Sequence, residues 1–151
     1  MVGDVGAFDE GTHAYTWRPD DSHGKLPKLD DRPLSAAEDI SGHYAVGFFD
    51  LDVENGSQEL WNLEKKTIEI LPAQLDSAYA VNSSGHAAAG TQAGKAALVR
   101  NGEVTELPTL GGDSAIAYAL SEQDVAAGQS EDEAGQGHAV VWTGCGVWTG
   151  C

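Results

Sequence analysis

Positive charge is scarce in this sequence: 8 Lys and Arg stand against 24 Asp and Glu, a formal net charge of −16. Nucleic-acid backbones and anionic lipid surfaces would be repelled by most of such a surface, so nucleic-acid binding is excluded as a leading function. Long apolar runs are missing too. Although 41% of residues are hydrophobic, no stretch approaches the roughly 20 consecutive apolar residues of a membrane helix. Cysteine is limited to Cys145 and Cys151 at the end of the chain. A bridge between them would close a very short loop and stabilise little, and an interchain bridge is equally open. No CxxC and no Cys/His cluster accompanies them, so zinc is not expected. The first residues hold no basic segment followed by an apolar one, so no secretory signal is expected in this chain.

What is abundant is acid, glycine and small apolar residues. The acidity reads in two ways: adaptation to high salt, where screening removes self-repulsion, or simple solubility. With 151 residues, the chain has the size of a single domain, 1–151, or of a short array of repeats.

Internal similarity decides between the two. An apolar-apolar-Gly unit recurs as Met1-Val2-Gly3, Ala45-Val46-Gly47, Ala88-Ala89-Gly90 and Ala126-Ala127-Gly128, at intervals of roughly 40 residues. Downstream of each lies an apolar run ending in a large residue: His13-Ala14-Tyr15-Thr16-Trp17, Glu59-Leu60-Trp61, Lys95-Ala96-Ala97-Leu98-Val99 and His138-Ala139-Val140-Val141-Trp142. The third copy is shorter between these landmarks, which marks the shortened stretch as a surface turn. Leu26-Pro27, Leu71-Pro72 and Leu107-Pro108 follow alternating runs such as Thr67-Ile68-Glu69-Ile70, which read as strands stopped by proline. A further run follows each: Ser35 to Ile40, Ser77 to Val81 and Ser114 to Leu120. These also read as strands, with only Ala36 to Ile40 ambiguous between strand and helix.

The pattern predicts an all-β protein, a β-propeller-like array of about four four-stranded blades with copies at roughly 1–34, 35–76, 77–113 and 114–151. Small residues fit the crowded strands near an axis, glycine permits close backbone approach, and Trp17, Trp61 and Trp142 fill the gaps between blades. The first copy begins at its second strand, giving about fifteen strands. The ring is therefore expected to be incomplete, or completed by other chains, and an open blade edge invites self-association.

The segments His13-Ala14-Tyr15 and His138-Ala139-Val140, with the link Leu107-Pro108-Thr109-Leu110-Gly111-Gly112-Asp113-Ser114-Ala115, resemble the HAF-repeat proteins, extracellular repeat proteins of bacteria and archaea named for His-Ala-Phe. The second copy departs from the motif, with Gln58-Glu59-Leu60 in place of the His-Ala pair. The resemblance implies a propeller-like repeat and an extracellular or cell-surface address. It carries no catalytic residues.

Candidate sites are few. His13 with His138, and His43 with His86, are read as equivalent positions on different blades, which favours structural roles over a convergent metal or acid-base site; His23 is a loop residue without an assigned role. No GxSxG turn accompanies a nucleophile. Asp50, Asp52 and Glu54 alternate before Gly56 in the manner hard cations such as calcium prefer, although Asn55 intervenes and an acidic, solvated rim explains the same residues. Asp30 and Asp31 are adjacent, and neighbours on an extended strand point to opposite faces, so they do not make a glycosidase pair. The expected function is a non-enzymatic extracellular scaffold without an obligatory cofactor, binding a partner chain or carbohydrate-type ligand. The alternative is a propeller-type glycoside hydrolase with clustered carboxylates.

Overall fold

The computed structural model describes residues 1–7, 11–17, 20, 22–27, 34–49, 56–143 and 146–148. Four antiparallel sheets follow one another along the chain. The first holds β1 (Val2–Ala7), β2 (Gly11–Trp17) and β3 (His23–Lys25). The second holds β4 (Ser35–Ser41), β5 (Tyr44–Phe49), β6 (Ser57–Asn62) and β7 (Thr67–Ile70). The third runs β8 (Leu75–Val81), β9 (Ala87–Thr91), β10 (Ala96–Arg100) and β11 (Glu103–Glu106). The fourth runs β12 (Gly111–Leu120), β13 (Ala126–Asp132), β14 (Gly137–Thr143) and β15 (Gly146–Trp148). No helix occurs among the described residues, and none there is long and apolar enough to cross a membrane. The ambiguous stretch Ala36 to Ile40 is strand, lying within β4.

The fold is a β-propeller-like array. Consecutive sheets pack face to face, with β4 and β8 contacting the sheets on either side of them and β12 contacting the third sheet. Among the described residues no strand of the first sheet makes extensive contact with the fourth, so the four sheets form an open arc. Register shows which place the first sheet leaves empty. Leu26, Leu71 and Leu107 each donate a backbone N–H across to Ala14, Gln58 and Ala96 at 2.8–2.9 Å, fixing β3, β7 and β11 as equivalent last strands. Thus β1 matches β5, β9 and β13, and no described strand of that sheet matches β4. The tail does not fill the gap: β15 pairs with β14 in its own sheet.

The local chemistry explains the strand ends. Each Leu adds one more ladder bond after the strand, and the following proline, having no N–H, cannot continue it. The three complete sheets share a bulge in β4, β8 and β12, Glu38, Tyr79 and Tyr118 being the extra residues. Gly47 and Gly128 lie opposite the bulge. A Cβ on Gly47 would sit 2.0 Å from the Ala36 carbonyl oxygen, and one on Gly128 1.9 Å from that of Ile116. The third sheet is out of phase: Ala89 holds the position against Ala78, while Gly90 faces Ser77, and a second register shift between Leu75 and Ser77 accompanies the slip.

Three seams hold the arc together. In the first, Trp61, Phe49, Ala45 and Ala37 of the second sheet meet Ala14 and Leu26. In the second, Val46, Leu60 and Leu71 meet Ala78, Val81, Ala89 and Val99. In the third, Ala80, Ala88 and Ala96 meet Ala117, Ala126, Val140 and Trp142. Large residues from one sheet thus settle on alanines of its neighbour, which lets the backbones approach and interiors pack densely. Trp61 and Trp142, at 0% and 2% exposure, are the largest buried side chains among the described residues.

Candidate binding site

Asp50, Asp52 and Glu54, with Asp30, Asp31, Cys145 and Cys151, lie outside the described residues. Among the described residues no group of three or more His, Cys, Asp and Glu side chains is arranged to hold a metal ion.

The histidines have separate surroundings. His13 is buried and His138 exposed, although both stand four residues before a tryptophan of the repeat. His138 Nε2 lies 2.8 Å from Asp132, whose carboxylate also accepts the N–H groups of Ala134 and Gln136. The Gln136 N–H first, then His138 and after it the Ala134 N–H, hold the Asp132 carboxyl below its ordinary range. His43 and His86 are not equivalent: Ala45 pairs with Trp61 and Ala87 with Val99, so His86 occupies the place of Tyr44. The spacing counted from Gly90 misleads because that glycine is one residue out of phase.

His86 belongs to a polar knot between the third and fourth sheets. Asp124, in the turn before β13, accepts Arg100 Nε at 2.8 Å and Asn82 Nδ2 at 2.7 Å, with His86 Nδ1 also at 2.8 Å. Burial alone would raise the Asp124 carboxyl, but the hydrogen bonds and charges of Arg100 and His86 outweigh it and hold the group below its ordinary value. Beside it Glu122 accepts the Ser41 hydroxyl at 2.8 Å and the Ser83 N–H at 3.0 Å, joining turns of three sheets. Every carboxylate oxygen in the knot is engaged by donors of another sheet, which is the geometry of a clamp.

A wide concavity lies between the first and second sheets, a cleft of about 620 Å³. Its floor is apolar, formed by Leu26, Ile40 and Leu63, and its rim carries His43, Glu64 and Lys66. The matching groove between the second and third sheets measures only about 80 Å³. The difference follows from sequence. Thr16 and Gly24 are paired in the first sheet where Leu60 and Glu69 are paired in the second, so the wall of the cleft is cut back by two side chains. In the second groove the ring of Tyr44 also presses on Gly85, leaving a Cβ there only 2.8 Å away. A second exposed feature is the pair Tyr79–Tyr118, 5.5 Å between ring centroids, aimed outward by the bulges of β8 and β12.

The fold places the protein with the β-propellers. No family model matches the chain, and no curated protein matches it in sequence. Among solved structures it is similar to the crystal structure of TolB from Acinetobacter baumannii, a β-propeller, with a TM-score of 0.66 at 13% sequence identity. The match covers 95% of this chain and 39% of that one, so the chain spans well under half the length of its structural neighbour.

Proposed function

We propose that the protein is a non-enzymatic binding scaffold whose ligand seats in the cleft between the first two sheets. The observation that carries this reading is the contrast between that cleft and its closed counterpart. An apolar floor with a few polar groups at the rim, within the roughly 300–1,000 Å³ of ligand pockets, suits a compact amphipathic ligand. A carbohydrate-type ligand matches this chemistry: one sugar face lies on Leu26, Ile40 and Leu63 while hydroxyls reach His43, Glu64 and Lys66. Non-enzymatic action belongs to the same proposal, in which Asp124, Glu122 and Asp132, each engaged in turn or inter-sheet hydrogen bonds, have structural roles. An extracellular or cell-surface address and membership of the HAF-repeat group belong to the same proposal. They rest on the equivalent placing of His13-Ala14 and His138-Ala139 four and three residues before Trp17 and Trp142.

The test is an NMR titration with a panel of neutral and uronate-containing oligosaccharides. Shift changes confined to Thr16, Gly24, Ile40 and Leu63 support the reading. Changes elsewhere, or none with any saccharide, overturn it, and release of a shortened sugar overturns the non-enzymatic assignment.

A further inference from the structure

The three seams use both faces of the middle sheets but only one face of each terminal sheet, and the two faces left over differ in shape. On the first sheet Ala14 turns toward the second sheet and packs with Trp61, so the alternate residues Tyr15 and Trp17 turn away from it. His23 pairs with Trp17 and shares that side. The rings form one cluster, Tyr15 lying 6.0 Å from Trp17 and 6.3 Å from His23. Trp17 stands at the strand position of Trp61 and Trp142, yet it is only partly buried where they are enclosed.

On the fourth sheet Val140 and Trp142 turn toward the third sheet, so Ala139 and Val141 face away from it. Ala127 pairs with Val141 and Ala119 with Ala127, extending the same face across three strands. Ala119 and Ala139 are exposed there. Their setting has an internal precedent. Ala14, the counterpart of Ala139, is fully buried against Trp61. One terminal face therefore carries the aromatic half of a seam and the other carries the alanine half. Within the chain the two lie at opposite ends of the arc, without extensive contact among the described residues.

We propose that a second copy of this chain covers these faces head to tail, the Tyr15–Trp17–His23 cluster of each copy seating on the Ala119–Ala127–Ala139 face of the other. Two copies close a ring of eight sheets, within the range of about four to eight blades that propellers adopt. The contact is heterologous, and it is made by sheet faces rather than by strand edges. A self-paired aromatic face would leave both alanine faces in water and lack the small surface that receives tryptophan in the first and third seams. Because each copy carries a charge of −16, added salt strengthens the association.

Sedimentation equilibrium of the whole chain, from micromolar to millimolar concentration, tests this. The expected mass is twice 15.8 kDa, more populated in high salt. Ala139→Glu and Trp17→Arg each reduce it to a single copy while the far-UV circular dichroism is unchanged. Ala139 is exposed, so that variant tests the interface with little risk to folding. An equimolar mixture of the two variants regains a two-copy species through the one intact pair of faces, as only a head-to-tail contact allows. A single-copy mass throughout, a different stoichiometry, or a dimer indifferent to Ala139→Glu overturns the proposal.

Discussion

Trp61 donates its indole N–H to the Pro27 carbonyl at 3.0 Å, and Trp142 makes the same bond to the Pro108 carbonyl at 2.8 Å. In each case the tryptophan of one sheet reaches the proline that ends the last strand of the sheet before it. The bond positions the ring, and the surrounding alanines bury it, so the two seams are held by the same pair of interactions.

Truncation of this anchor tests its weight. Trp142→Ala removes the largest side chain of the third seam and is expected to cost about 3–5 kcal/mol. Trp142→Phe keeps most of the apolar contact but leaves the Pro108 carbonyl without its donor, for about 1–3 kcal/mol. Urea unfolding followed by tryptophan fluorescence and circular dichroism measures both, and a Trp142→Phe variant as stable as the wild type would contradict the role of the hydrogen bond.

Backbone approach at the bulge gives a second prediction. Gly128→Ala places a methyl group against the Ile116 carbonyl and is expected to cost about 1–3 kcal/mol, or more if the strands must separate. Gly135→Ala is the control. That glycine has a φ of +73°, and no atom lies within 4 Å of the place its methyl group would take, so the cost is only the left-handed backbone, about 1 kcal/mol. Thermal melting of the two variants should rank them in that order.

Much of this architecture is legible in the sequence because sterics write it there. Gly47 and Gly128 recur since a carbonyl occupies the space of their side chains, and Trp61 and Trp142 recur since the seams need volume at one position. The third copy is harder to read. Val99 stands in the tryptophan position and Gly90 is one residue out of phase, so counting from glycine misaligns His86 with His43. The clamp at Asp124 leaves no pattern at all, because Asn82 and His86 from the turn before β9 and Arg100 from β10 meet Asp124 only through the packing of two sheets. The cleft is equally hidden: its size depends on Thr16 and Gly24 being smaller than Leu60 and Glu69, and that comparison has meaning only once the strands are in register.

The clamp sets an acid limit on stability. Asp124 has a folded-state pKa below its ordinary 3.8, so its contribution is fully present above that value and is lost as pH falls through the lower folded one. The urea midpoint should therefore decline from pH 5 toward pH 3, and Asp124→Asn should lower the midpoint at pH 7 while flattening that decline. An unchanged slope would assign the acid sensitivity to other carboxylates.

The cleft can be closed by copying its neighbour. Gly24→Glu restores the residue type found at Glu69, and its first carbon would lie 3.9 Å from Thr16 Oγ1, an ordinary contact. The variant should fold with wild-type melting behaviour and lose saccharide-induced shifts at Ile40 and Leu63. Retained binding would move the ligand site elsewhere.

The seams themselves are open to direct observation. Nuclear Overhauser spectroscopy should connect the Trp61 indole N–H to protons of Leu26 and Pro27, and the Trp142 indole N–H to those of Leu107 and Pro108, with both N–H protons slow to exchange. Indole protons that exchange rapidly, or that meet residues of their own sheet alone, would contradict the arrangement of successive sheets from which the rest follows.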